Sequence, residues 1–251
     1  MRRFIVAFGF VAPVLLIAVW KFSPLLGVAI LAASHALILY PTLRPNVQWL
    51  GPVITRFEPR GQEVWLTIDD GPTEDTTTLL EVLSRRNAKA TFFVKGRLAE
   101  ARPDLVREIL KRGHSVANHS HTHPSGSFWC LPRRRIATEI DSCNRALSAI
   151  TGSSPTWFRA PVGMKNPLVH PLLARRSMEL IGWTVRAFDG VMHDIDRIRA
   201  RVARRVSSGA IIVMHQGRDH SVTCIDAVVA DLQERGYAFV VPENGRLKTK
   251  R

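Results

Sequence analysis

The chain has 251 residues, of which 46% are hydrophobic and 22% charged, so it can bury a full core and is neither disordered nor fibrous. Its net charge of +14 comes mostly from arginine and raises the question of nucleic-acid binding. The sequence has no zinc-finger, RNP or helix–turn–helix signature and does not interleave basic with aromatic residues, so that function is disfavoured. An anionic membrane surface as partner, or a merely solvated basic exterior, accounts for the charge better.

Two apolar runs, Phe4–Trp20 and Leu25–Tyr40, occupy the N-terminus. A membrane-spanning helix needs about 20 apolar residues, and a lysine at mid-bilayer would cost about 3 kcal/mol. The sequence therefore predicts a hydrophobic helical hairpin of two short spans with Lys21 at the turn, although an anchor of one span remains an alternative. Such an anchor would place the protein at the cell (inner) membrane. A cleaved secretory signal is a further alternative, but no small-residue cleavage site directly follows the first run.

The number of spans decides on which side of the membrane the large domain lies. A hairpin leaves both ends on one side, where arginines outnumber the single Lys21 of the turn, and the positive-inside rule then favours the cytoplasm. A single uncleaved span would place the domain outside, and the sequence leaves the side open. The flanking arginines are Arg2, Arg3, Arg44, Arg56 and Arg60.

After the hairpin, a segment rich in proline and arginine precedes a long alternation of strand and helix patterns. We predict a membrane anchor at residues 1–40, a linker at 41–62 and the main domain at 63–245. About seven strands alternating with helices imply a parallel α/β sheet with right-handed crossovers, either open or closed into a barrel. The predicted strands are Val64–Ile68, Ala90–Val94, Ser115–Ala117, Thr156–Phe158, Leu180–Val185, Ala210–Met214 and Ala238–Val241. The predicted helices are Thr77–Arg86, Pro103–Arg112, Arg135–Ile150, Asp194–Val206 and Ile225–Arg235.

Two adjacent carboxylates, Asp69 and Asp70, follow the first predicted strand. Polar chemistry in such folds collects beyond the carboxyl ends of the strands. Neighbouring carboxylates repel each other, so a cation is expected nearby, and the turn imposed by Gly71 and Pro72 fixes their direction. An acidic turn or helix cap would be the simpler interpretation for one aspartate, but it fits this pair less well.

Three histidines, His119, His121 and His123, lie close together after the third predicted strand. On a helical turn, residues four apart share one face, so His119 and His123 could bind one metal ion while His121 points elsewhere. Two histidines, one carboxylate and an open position for water are typical of a catalytic rather than a structural metal site. A histidine-rich surface loop is the alternative.

Three further polar residues, Arg159, Asp189 and His215, follow later strand-like runs. Each of them alone would usually have a structural role, but their joint occurrence in this order indicates a functional site. With the two motifs above, they resemble the polysaccharide deacetylase family, the NodB-homology domain of carbohydrate esterase family four. The resemblance extends over roughly residues 63–241, most of the chain outside the hairpin.

Four of the family's five motifs are matched in order. Thr67–Pro72 is similar to TFDDGP, His119–His123 to H-[ST]-x-x-H, Arg159–Gly163 to R-x-P-x-G, and Ile212–His215 to an apolar run ending in histidine. The fourth motif, often D-x-x-D-W, departs from the pattern. At Arg186–Gly190, Asp189 matches the second aspartate of the motif. The first aspartate is replaced by arginine, and the tryptophan, which commonly helps to wall the sugar groove, is replaced by glycine.

The resemblance implies a distorted (β/α) barrel and a metal-dependent hydrolase that removes N-acetyl groups from amino-sugar glycans. Candidate substrates are peptidoglycan, an envelope polysaccharide or a lipid-linked sugar. By the same resemblance, Asp70, His119 and His123 would hold a divalent ion, most often Zn²⁺, with Co²⁺, Ni²⁺ and Mn²⁺ as alternatives.

The resemblance also implies a role for each remaining motif residue. Asp69 would act as the general base and His215 as the general acid, with Asp189 orienting His215. Arg159 would position Asp69 through a bidentate pair, and the backbone N–H of Val162 would help to hold the oxyanion.

Two alternatives stay open beside N-deacetylation. One is an esterase that removes O-acetyl groups, as on xylan, because the metal chemistry is the same. The other is a catalytically inactive barrel that binds glycan or assists a membrane complex, although all of the implied catalytic residues are present in this sequence. No nucleic-acid partner is expected.

Overall fold

The computed structural model describes residues 1–249, in which two apolar helices precede a domain of alternating strands and helices. The helices are α1 (Arg2–Trp20), α2 (Pro24–Leu43), α3 (Thr76–Arg85), α4 (Gly96–Ala101), α5 (Pro103–Lys111), α6 (Arg133–Thr151), α7 (Val169–Ala174), α8 (Ile195–Arg205) and α9 (Ser221–Glu234). The strands are β1 (Ile54–Phe57), β2 (Glu63–Gly71), β3 (Ala90–Val94), β4 (Ser115–Asn118), β5 (Trp157–Phe158), β6 (Glu179–Leu180), β7 (Val185–Arg186), β8 (Ala210–His215), β9 (Ala238–Phe239) and β10 (Leu247–Thr249).

Helices α1 and α2 form an antiparallel hairpin with Lys21 in the turn, as the sequence predicts. Glycines allow the two helices to approach closely: a Cβ on Gly27 would lie 2.7 Å from Leu16 Cδ1, and one on Gly9 would lie 2.9 Å from Ile38 Cδ1. Both helices are long and apolar enough to cross a membrane. Within the most apolar 18 residues of each helix, only 11% in α1 and 22% in α2 are buried. At about 1.5 Å per residue, α1 measures about 28 Å, close to the hydrocarbon thickness of a bilayer.

Strand β2 is central and pairs in parallel with β3, β8 and β9. The strand order is β10-β1-β8-β2-β3-β4-β5-β6, with β7 beside β8. Side chains along β2 alternate between two faces. Leu66 and Ile68 join the large cluster beneath the helices, while Trp65 lies in a second cluster on the other face, toward which Thr67 and Asp69 also point. The parallel strands thus bring their carboxyl ends, and the polar residues that follow them, to one edge.

The sheet curves into a barrel of mostly parallel strands, with β1 and β10 as antiparallel additions. The sequence does not predict either of these strands, and β1 lies inside the segment 41–62 predicted as a linker, so part of that segment belongs to the barrel. A parallel bridge between Ile54 and Ile181 brings β1 against the chain beyond β6. The single strand predicted at Leu180–Val185 is instead two, β6 and β7. It is interrupted because Gly182 donates its N–H to Ile54 O.

Candidate active site

A cleft of about 300 Å³ opens where the carboxyl ends of the strands meet. Two of the eight residues that the sequence predicts for the site, Arg159 and Asp189, lie behind the cleft wall, and both are almost fully buried. The structure brings the other six into the lining: Asp69, Asp70, His119, His123, Val162 and His215.

Asp70, His119 and His123 form the group that could hold a metal ion. Each offers one ligand atom, and these atoms all lie within 4.8 Å of one another. The two histidine Nε2 atoms are 3.1 Å apart, and Asp70 Oδ1 lies 3.6 Å from His123 Nε2 and 3.9 Å from His119 Nε2. His121 is not part of this group; it packs against Gly96 and lies 3.9 Å from Glu100.

The protonation states of Asp70, His119 and His123 suit the binding of a cation. His119 Nδ1 lies 2.9 Å from the carbonyl of Arg159, which can only accept a hydrogen bond, so the ring carries its proton there and Nε2 keeps a lone pair. Burial lowers the pKa of His119, and burial with the neighbouring His119 lowers the pKa of His123 to about 3. Burial opposes ionisation of Asp70, but the positive charge near it, including that of Lys95, outweighs burial and lowers its pKa. Two neutral imidazoles and a carboxylate are ligands that Zn²⁺ and similar ions prefer.

A loop, not the expected helical turn, brings the two imidazoles together. Residues 119–123 have no helical turn, and Ser120 and His123 adopt positive φ values of 66° and 55°. Asn118 Oδ1 accepts the N–H of Ser120 at 2.7 Å, which turns the chain directly after β4. The loop therefore holds the histidines through side-chain hydrogen bonds that the spacing of the histidines does not indicate.

Glu139 on α6 is a supporting residue that the sequence analysis missed. Its Oε2 accepts the backbone N–H groups of His121 and Thr122 at 3.0 and 2.8 Å, and its Oε1 accepts the Thr122 hydroxyl at 2.6 Å. The side chain is buried on the apolar face of α6, which also carries Ile136 and Ile140. A charged residue on that face was the signal that could have identified it.

Asp69 is held by one buried arginine. Arg159 Nη1 donates to Asp69 Oδ1 at 2.6 Å and to Thr67 Oγ1 at 2.8 Å. The expected bidentate pair is therefore wrong: Nη2 and Nε donate instead to the carbonyls of Gly182 and Ile181, at 3.0 and 3.3 Å. This arrangement leaves Asp69 Oδ2 directed toward the histidines, 3.7 Å from His119 Nε2.

His215 lines the cleft beside Asp69, with Asp189 behind it. Asp69 and His215 are register partners on β2 and β8. Asp189 Oδ2 accepts the backbone N–H of His215 at 2.6 Å, and Oδ1 lies 3.0 Å from His215 Nδ1. Burial alone would lower the pKa of His215, but the hydrogen bond and charge of Asp189, together with the charges of Asp69 and Asp70, outweigh it and raise the pKa. The imidazole is thus oriented and favoured in its protonated form.

Strained backbone is concentrated around this cleft. Asp70, Val162 and Phe188 have φ values of 79°, 56° and 67°, a region that residues other than glycine rarely adopt. Val162 is β-branched, which makes its left-handed conformation especially unfavourable. Such conformations cluster at functional sites, where the surrounding structure over-determines them.

The departing fourth motif also contributes to the cleft. Arg186 lines it and lies over the Trp183 and Phe188 rings, with its Cζ 5.8 and 4.5 Å from their centroids. Gly190 lines it too, where a tryptophan would have formed a wall. A further lining residue, Arg218, follows β8 and was not singled out in the sequence.

Known proteins match this chain across the barrel. The family model described as polysaccharide deacetylase matches residues 57–181. A chitooligosaccharide deacetylase of Bradyrhizobium sp. (strain ANU 289) is 34% identical over 185 residues, covering 72% of this chain and 84% of that protein. A family 4 carbohydrate esterase from Streptomyces lividans, solved in complex with acetate, is 30% identical with a TM-score of 0.69, and the match covers 76% of this chain and 99% of that one.

One solved relative is described as inactive. A CE4 family pseudoenzyme from Bacillus anthracis is 30% identical with a TM-score of 0.66, and the match covers 74% of this chain and 65% of that one. Sequence similarity at this level therefore includes proteins with and without the activity. An active member therefore has to be told from an inactive one by the side chains of its cleft.

Proposed function

Because this chain belongs to the polysaccharide deacetylase family, we propose that it is an active, metal-dependent hydrolase that removes N-acetyl groups from amino-sugar glycans. The observation that carries the proposal is that Asp69 and His215, which are register partners on β2 and β8, line the same cleft as the Asp70, His119 and His123 group. An acid and a base beside a single cation site are what amide hydrolysis needs. A pseudoenzyme would be expected to have lost one of these groups.

Asp70, His119 and His123 would hold the divalent ion, for which Zn²⁺ is the first candidate. When bound, such an ion supplies Lewis acidity, which polarises the acetyl carbonyl and eases deprotonation of water. Asp69 would take the proton of the attacking water, because Arg159 engages its Oδ1 and leaves Oδ2 on the cleft side. The same machinery would cleave an O-acetyl ester, which stays the alternative substrate class.

The remaining residues would stabilise charge and transfer the second proton. The Val162 backbone N–H would donate to the developing oxyanion from its left-handed turn at the cleft wall. His215, whose pKa Asp189 raises, would protonate the leaving amine. Collapse of the tetrahedral species then gives acetate and the free amino sugar.

Acetate release tests the proposal. The detergent-solubilised, Zn²⁺-loaded protein is expected to release acetate from at least one of three substrates: chitooligosaccharide, peptidoglycan or a lipid-linked N-acetylhexosamine. Asp69→Asn removes the base and should lower the rate by at least about a hundredfold. Asp104→Asn, on the exposed face of α5, is the matched control and should leave it unchanged. Absence of acetate from all three substrates with metal bound would contradict the proposal.

We also propose that residues 1–40 anchor the protein in the cell membrane as a two-span hairpin, ahead of the segment 41–62 and a catalytic domain at 63–245. Arg2 Nη1 donates to Pro167 O at 3.3 Å, and α2 ends against the same domain, so both ends of the hairpin lie on the domain side. With the arginines at that side, the positive-inside rule favours a cytoplasmic cleft. Reporter fusions to the C-terminus should read as cytoplasmic; a periplasmic result would contradict the hairpin topology.

A further inference from the structure

Two arginines in the cleft have no acidic partner. The acids of the site are already paired: Asp69 with Arg159, Asp70 with Lys95 at 2.9 Å, and Asp189 with His215. Within residues 1–249, no carboxylate forms an ion pair with Arg186 or Arg218. Their positive charge is therefore not balanced by a carboxylate of the cleft, where Arg186 is half-buried and Arg218 is exposed.

Arg186 is held in place rather than free in solvent. Its guanidinium lies over Phe188, and Arg201 Nε donates to the Arg186 carbonyl at 2.9 Å. The Arg201 guanidinium lies over the same Phe188 ring, 4.2 Å from its centroid. Stacking on an aromatic ring fixes the plane of a guanidinium and leaves its N–H groups for a planar or tetrahedral anion.

Gly190 lies beside both the proposed acid and the second arginine. A Cβ at this position would lie 3.6 Å from His215 Nδ1 and 3.9 Å from Arg218 Nη2. Both are ordinary van der Waals distances, which place the Gly190 backbone directly beside the two side chains. Arg218 thus borders the open space next to the group that would protonate the leaving amine.

We propose that the cleft is built for an N-acetylated amino sugar that carries a phosphate, with Arg186 and Arg218 binding the phosphate oxygens. This inference rests on the proposed deacetylase function and specifies its substrate class. Arginine binds phosphate through paired, charge-assisted hydrogen bonds, which matches two guanidinium groups without acidic partners. A neutral glycan would leave both charges without a counterpart in the cleft.

The apolar hairpin leads directly to the wall of this cleft. Pro45 lies just beyond α2, and a Cβ on Gly163 would lie 2.8 Å from Pro45 Cβ. Asn46 Nδ2 donates to the carbonyl of Trp183 at 2.7 Å, and both Gly163 and Trp183 line the cleft. The phosphate can therefore belong to a free sugar phosphate or to a lipid-linked sugar presented from the bilayer, and the test below separates the two.

Three substrates differ only in the group attached to the anomeric carbon of N-acetylglucosamine: a methyl group, a phosphate, and a farnesyl phosphodiester in detergent micelles. For the full-length, Zn²⁺-loaded protein, kcat/KM should be about tenfold or more higher for a phosphorylated substrate than for the methyl glycoside. A preference for the farnesyl phosphodiester assigns the lipid-linked source, and one for the phosphate assigns the free sugar phosphate. Equal kcat/KM on all three would overturn the inference.

Arginine variants locate the preference in the cleft. Arg186→Gln and Arg218→Gln should each reduce the ratio of phosphorylated to neutral kcat/KM by about fivefold or more. Arg205→Gln removes the same charge from the exposed end of α8 and should leave the ratio unchanged. A ratio that is the same in all three variants would contradict the assignment of these arginines.

Binding without turnover separates this inference from the proposed function. Calorimetry on the Asp69→Asn variant should give tighter binding of N-acetylglucosamine 1-phosphate than of the methyl glycoside, and Arg186→Gln in that background should reduce the difference about fivefold or more. If no substrate released acetate, the deacetylase proposal would be wrong, while this comparison would still decide on phosphate binding. Equal affinity for both ligands would overturn the inference even in an active enzyme.

Discussion

Asp189 illustrates how one side chain can set both the position and the charge of another. One of its oxygens binds the backbone N–H of His215, and the other binds the ring. The first bond fixes the end of β8, and the second raises the pKa of the imidazole. A group that acts as an acid while protonated supports activity below its pKa, and that activity is lost as the pH rises through the pKa.

Asp189→Asn should therefore shift the alkaline limb of the pH–rate profile to lower pH. The amide keeps an acceptor for the backbone N–H but removes the negative charge that raises the pKa of His215. The measurement is kcat/KM for acetate release across pH 6 to 10 at saturating metal. Asp226→Asn, which breaks a surface pair with Arg86, is the control. An unchanged limb in Asp189→Asn would show that His215 is not the group that titrates.

Glu139→Gln should weaken metal binding without removing a ligand. The carboxylate accepts three hydrogen bonds from the loop between His119 and His123, and a glutamine has only one oxygen for them. Loss of such support typically costs about tenfold to a hundredfold in metal affinity. Competition with a chromophoric chelator measures the affinity for Zn²⁺. Asp141→Asn, two residues along the same helix, should bind Zn²⁺ normally. Normal binding by Glu139→Gln would contradict this role.

Among the elements, the end of α2 is held against the barrel in part by the buried ammonium of Lys165. Lys165 is fully buried, and its ammonium lies 2.7 Å from Pro45 O, 2.9 Å from Arg44 O and 3.3 Å from Pro41 O. Burial lowers its pKa to about 8. The last carbonyls of a helix lack partners within the helix, so this ammonium satisfies groups that would otherwise be buried without a donor.

Lys165→Met should destabilise the packing of the hairpin on the barrel. Leaving these carbonyls without a donor should cost about 2 kcal/mol or more in the free energy of unfolding. Chemical denaturation in detergent micelles measures that cost, and limited proteolysis should show faster cleavage in residues 44–53. Lys111→Met, at the exposed end of α5, is the control. Equal stability of the two variants would mean that Lys165 does not hold the helix end.

The sequence predicts the central elements well because their patterns are strong. β3 has the predicted bounds, and the strands before Asp69 and His215 differ from the predicted ones by a few residues at most. β1 and β10 were not predicted because they are short and pair across almost the whole chain, as in Ile54 with Thr249. Pro52 and Pro59 around β1 favour a coil, and only the tertiary pairing overrides that preference.

The sequence predicts the site residues that come at the ends of strands. It does not predict residues that hold the site in place from positions remote in the sequence. Every predicted site residue lies in or behind the cleft, because parallel strands end at one edge. The helical turn between His119 and His123 was wrong, since spacing alone does not specify backbone conformation. Glu139 and Lys165 act through backbone groups remote in sequence, so no local pattern marks their partners.

At the scale of the whole molecule, the hairpin, the barrel and the cleft form a continuous arrangement. The hairpin exposes large apolar side chains, such as Phe10 at 77% and Leu25 at 81%, which water would not tolerate over so wide an area. Its domain-side end packs beside Gly163 and Trp183 at the cleft. The barrel therefore has its chemical edge close to the end of the apolar hairpin, which suits a substrate carried at a membrane surface.

The central claim is that Asp70, His119 and His123 bind one divalent cation. Zn²⁺ titration of the purified full-length protein, followed by elemental analysis and X-ray absorption, tests it most directly. We expect one ion per chain with two imidazole nitrogens and a carboxylate oxygen in its shell. We expect that ion to be lost in His119→Ala but not in His193→Ala, since His193 is an exposed histidine outside the cleft. A protein that binds no transition metal, or binds it equally in both variants, would contradict the account.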